Sequence, residues 1–163
     1  ARLSKGKYFV TDKLPHNFRF IPLICSAFPE AKIIHVQRDK AATCWSNFKH
    51  NFVSSDLGYA CDLKDTLEYY QLYEDLMQVW DLEHGEKIHK LVYEELTTDQ
   101  EGTTKHLIDY LGLDWEDNCL SPQKNKRGVR TASQQQVRRS IYTGSSEAWK
   151  QYGRFIDNLF DQL

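Results

Sequence analysis

No apolar run in the 163-residue chain approaches the roughly 20 residues that a membrane-spanning helix needs. Nor does any charged segment lead into an apolar stretch as a signal peptide would, so a cytoplasmic location is expected. The four cysteines, Cys25, Cys44, Cys61 and Cys119, contain no Cys-x-x-Cys pair, which removes the usual zinc and thioredoxin-like patterns. Cys25 and Cys44 lie in apolar helical surroundings and read as buried thiols. Such usage suits a reducing compartment, although four cysteines also suffice for two disulfides in a secreted chain. The histidines are dispersed: His35 sits in an apolar stretch, and His50, His84, His89 and His106 read as edge or surface positions, so no metal is expected. A formal net charge of −2 argues against general nucleic-acid affinity. No internal repeat and no Walker-type Gly-Lys-Ser or Gly-Lys-Thr segment occurs.

What remains is an ordinary globular composition, 40% hydrophobic and 27% charged, with room for one sizeable core. Within it, Ala31 to Phe52 is the most informative stretch. Lys32 to Val36 is short, apolar and β-branched, whereas Ala41, Ala42, Trp45 and Phe48 recur at helical spacing. The period therefore switches from strand to helix with Arg38 at the junction. Ser46, eight positions on, lies about two turns along the helix at 3.6 residues per turn, on the side that can face Arg38. A guanidinium fork and a hydroxyl converging at a strand's carboxyl end suit a phosphate monoester, although an arginine there can equally be a surface ion-pair partner.

Around this unit, Tyr8 to Val10 reads as a short strand, Asn17 to Phe28 as a helix stopped by Pro29, and Ile33 to Val36 as the second strand. Val53 to Leu63 reads as an exposed loop able to cover a substrate. Asp65 to Glu83 is the longest helix, its Tyr69, Tyr70 and Tyr73 taken as core packing. Ile88 to Tyr93 alternates like a third strand, Thr97 to Leu111 is a helix closed by Gly112, and Trp115 to Leu120 a short one. Ser121 to Gln136 is basic and without periodicity. From Ser145 a helix returns, with an apolar face of Trp149, Tyr152 and Phe155 to Phe160 that should dock on the body. Strands separated by helices predict a parallel sheet.

Four segments in order, Thr11 to Phe20 (TDKLPHNFRF), Phe28 to Phe52, Val92 to Leu96 (VYEEL) and Val129 to Trp149 (VRTASQQQVRRSIYTGSSEAW), resemble the sulfotransferase family. The resemblance is strongest to the bacterial class found behind tetratricopeptide repeats and related to tyrosylprotein sulfotransferases. It implies an α/β, P-loop-NTPase-like fold of three layers around a central parallel sheet, and 3′-phosphoadenosine 5′-phosphosulfate as co-substrate for an unknown hydroxyl acceptor. It also implies site residues. Arg38 and Ser46 hold the 3′-phosphate, and Tyr93 lies near the adenine and 3′-phosphate. Lys13 stabilises charge on the leaving group, and Ser133 contacts the phosphosulfate, with Thr131 a competitor. Arg130, Arg138 and Tyr142 belong to the late basic segment over the nucleotide. Without the resemblance, Asp12 and Lys13 read as closing a turn before Pro15, Tyr93 as an ordinary strand tyrosine, and Arg138 with Arg139 as a solvated face.

Departures from the family pattern matter as much. These residues contain no Gly-Thr-rich loop whose backbone N–H groups would cradle the phosphosulfate, and the related enzymes' base comes from that region. Lys40 and Ser140 stand where prolines are common, and Ala148 near a nucleotide-touching lysine. The chain begins at Ala1 rather than methionine. Expected, then, is a single partial domain over residues 1–163 without the amino-terminal strand and phosphosulfate loop, with little turnover by itself. The rival is a non-catalytic nucleotide- or partner-binding module on the same scaffold.

Overall fold

The computed structural model describes residues 8–50, 52, 55–125, 138–156 and 160. Their centre is a parallel pair of strands, β1 (Ile33–Gln37) and β2 (Ile88–Val92), in register from Ile33 beside Ile88 to Gln37 beside Val92. Because they run parallel, a crossover must return the chain to the starting end. That crossover holds α2 (Lys40–Phe48), a 3-10 stretch at Ser55–Cys61 and the long α3 (Leu63–His84). Ahead of β1 stands α1 (Ile21–Ala27), and after β2 come α4 (Tyr93–Thr98) and α5 (Gln100–Leu111).

The helix ends explain where the elements fall. Asp39 caps α2 by accepting from the Ala42 N–H at 2.7 Å, and Asp62 caps α3 by accepting from Lys64 N and Asp65 N at 2.8 and 3.1 Å. Each carboxylate satisfies N–H groups that the first turn leaves orphaned. Gly112 ends α5 at φ 68°, the left-handed conformation that glycine adopts without Cβ strain.

Two apolar clusters hold these elements together. Ile21, Cys25, Met77 and Ile88 join α1, α3 and β2, with Phe18, Ile33, Tyr73 and Trp80 packed on them. Ala41, Cys44, Leu63, Ile156 and Phe160 join α2 and α3 to the chain's last turns, with Trp45, Leu67, Tyr70 and Trp149 around them. Of the α3 tyrosines, Tyr70 and Tyr73 pack on these clusters, half-buried: Tyr73 meets Phe18 and Tyr70 edge-on, each at 5.1 Å. On β1, His35 points inward to Tyr73, its Nε2 2.5 Å from the hydroxyl, while Ile34 and Val36 face outward.

Several expectations need correcting. Tyr8 to Val10 forms no strand; its side chains are 94%, 65% and 61% exposed, and no ladder satisfies its backbone. The helix expected from Asn17 begins as 3-10 turns at Pro15–Phe20 and becomes α-helical only at Ile21, since Pro22 is tolerated only in a first turn. The Thr97 to Leu111 helix is two helices, parted at Asp99, whose carboxylate accepts from Gly102 N at 2.9 Å to start α5. The short helix expected over Trp115 to Leu120 is a 3-10 turn at Asp117–Leu120. Of the loop expected over Val53 to Leu63, Val53 and Ser54 lie outside the described residues, and Ser55–Cys61 is a 3-10 stretch fastened to α3, where Thr66 Oγ1 donates to the Tyr59 carbonyl at 3.0 Å and Tyr59 stacks on Tyr69 at 4.0 Å. The last segment forms 3-10 turns over Ser145–Phe155 that follow Gly144 at φ 86°; of the face expected to dock, Trp149, Ile156 and Phe160 join the core, whereas Tyr152 and Phe155 are exposed.

Candidate functional site

The in-register pairing sets the carboxyl ends of β1 and β2 side by side, so the next residues, Arg38 and Tyr93, meet. The Arg38 guanidinium carbon lies 5.0 Å from the Tyr93 ring centroid, within cation–π range. Its backbone is fixed from below: the Arg38 carbonyl accepts from the Tyr70 hydroxyl at 3.3 Å and from Thr43 Oγ1 at 3.5 Å. Its side chain reaches the start of the last 3-10 segment, with Nε donating to Ser146 Oγ at 3.2 Å and a terminal nitrogen donating to the Ser145 carbonyl at 2.9 Å. The Tyr93 hydroxyl is 2.9 Å from Ser145 Oγ. Glu94 completes the group, accepting from the Ser146 hydroxyl and, at 3.2 Å, from the Asp39 N–H.

Electrostatics at this cluster favour a charged carboxylate beside a charged guanidinium. Partial burial pushes the Glu94 carboxyl upward, but the Ser146 hydroxyl and the Asp39 N–H outweigh it, with Arg38 adding to them, and the group is held below the usual range. Cys44, fully buried beneath, is pushed up to about 12 by burial and is no nucleophile at neutral pH. Lys40 occupies the first position of α2, where a proline would also fit. Its ammonium serves structure, pairing with Glu74 at 2.9 Å and Gln71 Oε1 at 3.1 Å.

Of the residues singled out by sequence, Arg38 and Tyr93 are brought together. Ser46 is half-buried on α2, its carbonyl accepting from His50 Nδ1 at 2.6 Å, and the hydroxyls that receive Arg38 are those of Ser145 and Ser146. Lys13 is exposed in the segment before Pro15, where Asn17 Nδ2 donates to Asp12 at 2.7 Å. Arg138 and Tyr142 are exposed, and Arg130, Thr131 and Ser133 lie outside the described residues. Sequence reasoning missed Glu94, Ser145 and Ser146. Glu94 was in view as the neighbour of Tyr93 in VYEEL, and the two serines follow a glycine at a helix start, where hydroxyls are ordinary caps.

Among the described residues no cluster of three or more His, Cys, Asp or Glu side chains could hold a metal, and no helix is long and apolar enough to cross a membrane.

A protein of Aquifex aeolicus (strain VF5), described as uncharacterized, is 34% identical over 165 residues, an alignment covering 100% of this chain and 22% of the relative. The chain thus spans less than a quarter of that relative's length. The model of the sulfotransferase family matches residues 1–117, which include β1, Arg38, α2, α3, β2 and Tyr93. The chain belongs to the sulfotransferase family.

Proposed function

We propose that the protein transfers a sulfuryl group from 3′-phosphoadenosine 5′-phosphosulfate to a hydroxyl acceptor, and that the Arg38 cluster receives the donor's 3′-phosphate. One observation carries the reading: Arg38 and Tyr93 leave adjacent parallel strands at their carboxyl ends with the guanidinium over the ring, the place where open α/β sheets bind ligands. The residues present suit the group. A guanidinium offers paired N–H donors to phosphate oxygens, the Tyr93 ring offers a flat face to the nucleoside, and the Tyr93 and Ser145 hydroxyls can hydrogen-bond oxyanions.

When bound, the donor supplies a sulfuryl group whose bond to the bridging phosphate oxygen breaks as the acceptor oxygen bonds to sulfur. In this reading Lys13 places its ammonium near that bridging oxygen and steadies the charge that develops there. Ser46 adds a hydroxyl to the 3′-phosphate, and Arg130, Ser133, Arg138 and Tyr142 form a basic and hydroxyl-bearing cover over the nucleotide. The acceptor's proton passes to a base outside these assignments. The mixed α/β arrangement fits the P-loop-like, three-layer sulfotransferase fold, and the TDKLP and VYEEL segments fit the tetratricopeptide-repeat-associated class.

A second reading, a binding module that holds the nucleotide without turning it over, is favoured by the Asp12–Asn17 bond, which gives the Lys13 segment a plain turn-closing role. Incubating the protein with labelled phosphosulfate donor and a panel of phenol, sugar and peptide hydroxyls separates the two. Sulfated product that disappears in Lys13→Ala and Arg38→Ala supports transfer. Tight donor binding with no product from any acceptor supports the module.

A further inference from the structure

We propose that Glu94 is a positioning residue for the phosphate site, acting through Ser146 to hold the Arg38 guanidinium in its binding orientation; this rests on the reading of Arg38 as a phosphate ligand. The polarity of the hydrogen bonds carries the inference. Arg38 Nε can only donate, and it donates to Ser146 Oγ at 3.2 Å. Ser146 must therefore offer a lone pair to Arg38 and send its own proton elsewhere. The proton goes to Glu94 Oε1, an acceptor without competing hydrogen while ionised. With no acceptor at position 94, the Ser146 proton is free to turn toward Nε, where two donors would face each other.

The same carboxylate oxygen takes the Asp39 N–H at 3.2 Å, and Asp39 in turn caps α2. Glu94, the second residue after β2, thereby ties three things into one frame: the turn after β1, the first turn of α2 and the Ser145–Ser146 step. Ser146 is buried at 8% exposure, so its hydroxyl has little access to water as an alternative partner. A guanidinium held at Nε and at one terminal nitrogen loses little further freedom when a phosphate arrives, which is the benefit of preorganisation.

A carboxylate beside an anion site also repels the anion, so charge and hydrogen bonding make opposite forecasts for Glu94→Gln. Its amide oxygen can still accept from Ser146 and Asp39, but the charge is gone. If Glu94 works as an acceptor that orients, Glu94→Gln should bind 3′-phosphoadenosine 5′-phosphate within about three-fold of wild type, while Glu94→Ala should bind about ten-fold more weakly, the equivalent of one lost hydrogen bond of about 1.4 kcal/mol.

The test pairs that titration with the arginine Nε–H resonances of the 15N-labelled chain, Arg38 being assigned through Arg38→Lys. The Arg38 Nε–H should be protected from exchange in wild type and Glu94→Gln and lose protection in Glu94→Ala and Ser146→Ala. Unchanged protection in Glu94→Ala, or wild-type affinity in that variant, overturns the positioning role. A wild-type chain that shows the protected resonance yet binds no nucleotide overturns the phosphate reading beneath it instead.

Discussion

The two ends of the β1–β2 pair are each clasped by a tyrosine, and they are clasped differently. At the amino-terminal end the Tyr110 hydroxyl donates to the Lys87 carbonyl at 2.6 Å and accepts from the Ile33 N–H at 3.2 Å, its ring stacked on His89 at 4.8 Å. Lys32 reaches over that ring and donates to the Tyr110 carbonyl at 2.9 Å. Every one of these bonds ends on backbone. At the carboxyl-terminal end most bonds run between side chains: the Tyr93 hydroxyl and the Arg38 Nε end on serine hydroxyls, and one Arg38 terminal nitrogen ends on the Ser145 carbonyl. Bonds that saturate main-chain groups lock a fold, because breaking them leaves buried polar groups unpaired. The Tyr93–Ser145 bond joins two side-chain hydroxyls and can be traded for an oxyanion's oxygens without unpairing the backbone. The first end is a clamp and the second is a site.

The sharpest way to break that distinction is Arg38→Ala. Removing one member of a charge-assisted contact typically costs 2–5 kcal/mol, so affinity for 3′-phosphoadenosine 5′-phosphate by calorimetry should fall on the order of 100-fold. Tyr110→Phe should do the reverse. It loses the hydroxyl that joins the strand starts, and denaturant unfolding should show a stability loss of about 1–2 kcal/mol with nucleotide affinity unchanged. Weakened binding in that variant would mean the two ends are not separable. Smaller again is Tyr93→Phe, which keeps the ring under Arg38 and removes only the bond to Ser145; affinity should fall roughly three- to ten-fold, as for one neutral hydrogen bond, with stability nearly intact.

The smallest effect lies between the ends. Burial holds His35 below its ordinary value of 6.5, so the folded state favours the neutral ring. Below about pH 6.5 the unfolded chain takes up a proton that the folded chain resists, so this contribution is complete above that pH and is lost as pH falls. Stability measured from pH 7 to 5 should therefore decline by less than one proton's slope in wild type and flatten in His35→Gln, which keeps a partner for Tyr73 without titrating there. An identical slope in both proteins would assign the decline to other groups. Glu94, held below its ordinary 4.5, contributes its stability in full above that pH and loses it as pH falls further, since its ionised form is favoured by folding.

Much of this was legible in the chain. The switch from β-branched residues to helical period at Arg38 located β1, α2 and the strand-end arginine, and alternation over Ile88 to Tyr93 located β2. Both signals are local, set by which face of one element is apolar. What escaped was non-local or competed with a local rule. Tyr8 to Val10 has strand propensity, but a strand exists only with a partner, and none lies beside it among the described residues. Ser145 and Ser146 are 107 and 108 positions from Arg38, and only the docking of the last segment through Trp149, Ile156 and Phe160 brings them there.

The central claim is that Arg38 reads a 3′-phosphate. The most direct measurement titrates wild type and Arg38→Ala with two ligands, adenosine 3′,5′-bisphosphate and adenosine 5′-monophosphate, which differ only in that phosphate. Wild type should prefer the bisphosphate by about 30-fold or more, as a charge-assisted contact of 2 kcal/mol or above requires, and Arg38→Ala should bind both ligands alike. An equal preference in the two proteins would place the 3′-phosphate elsewhere and contradict the account.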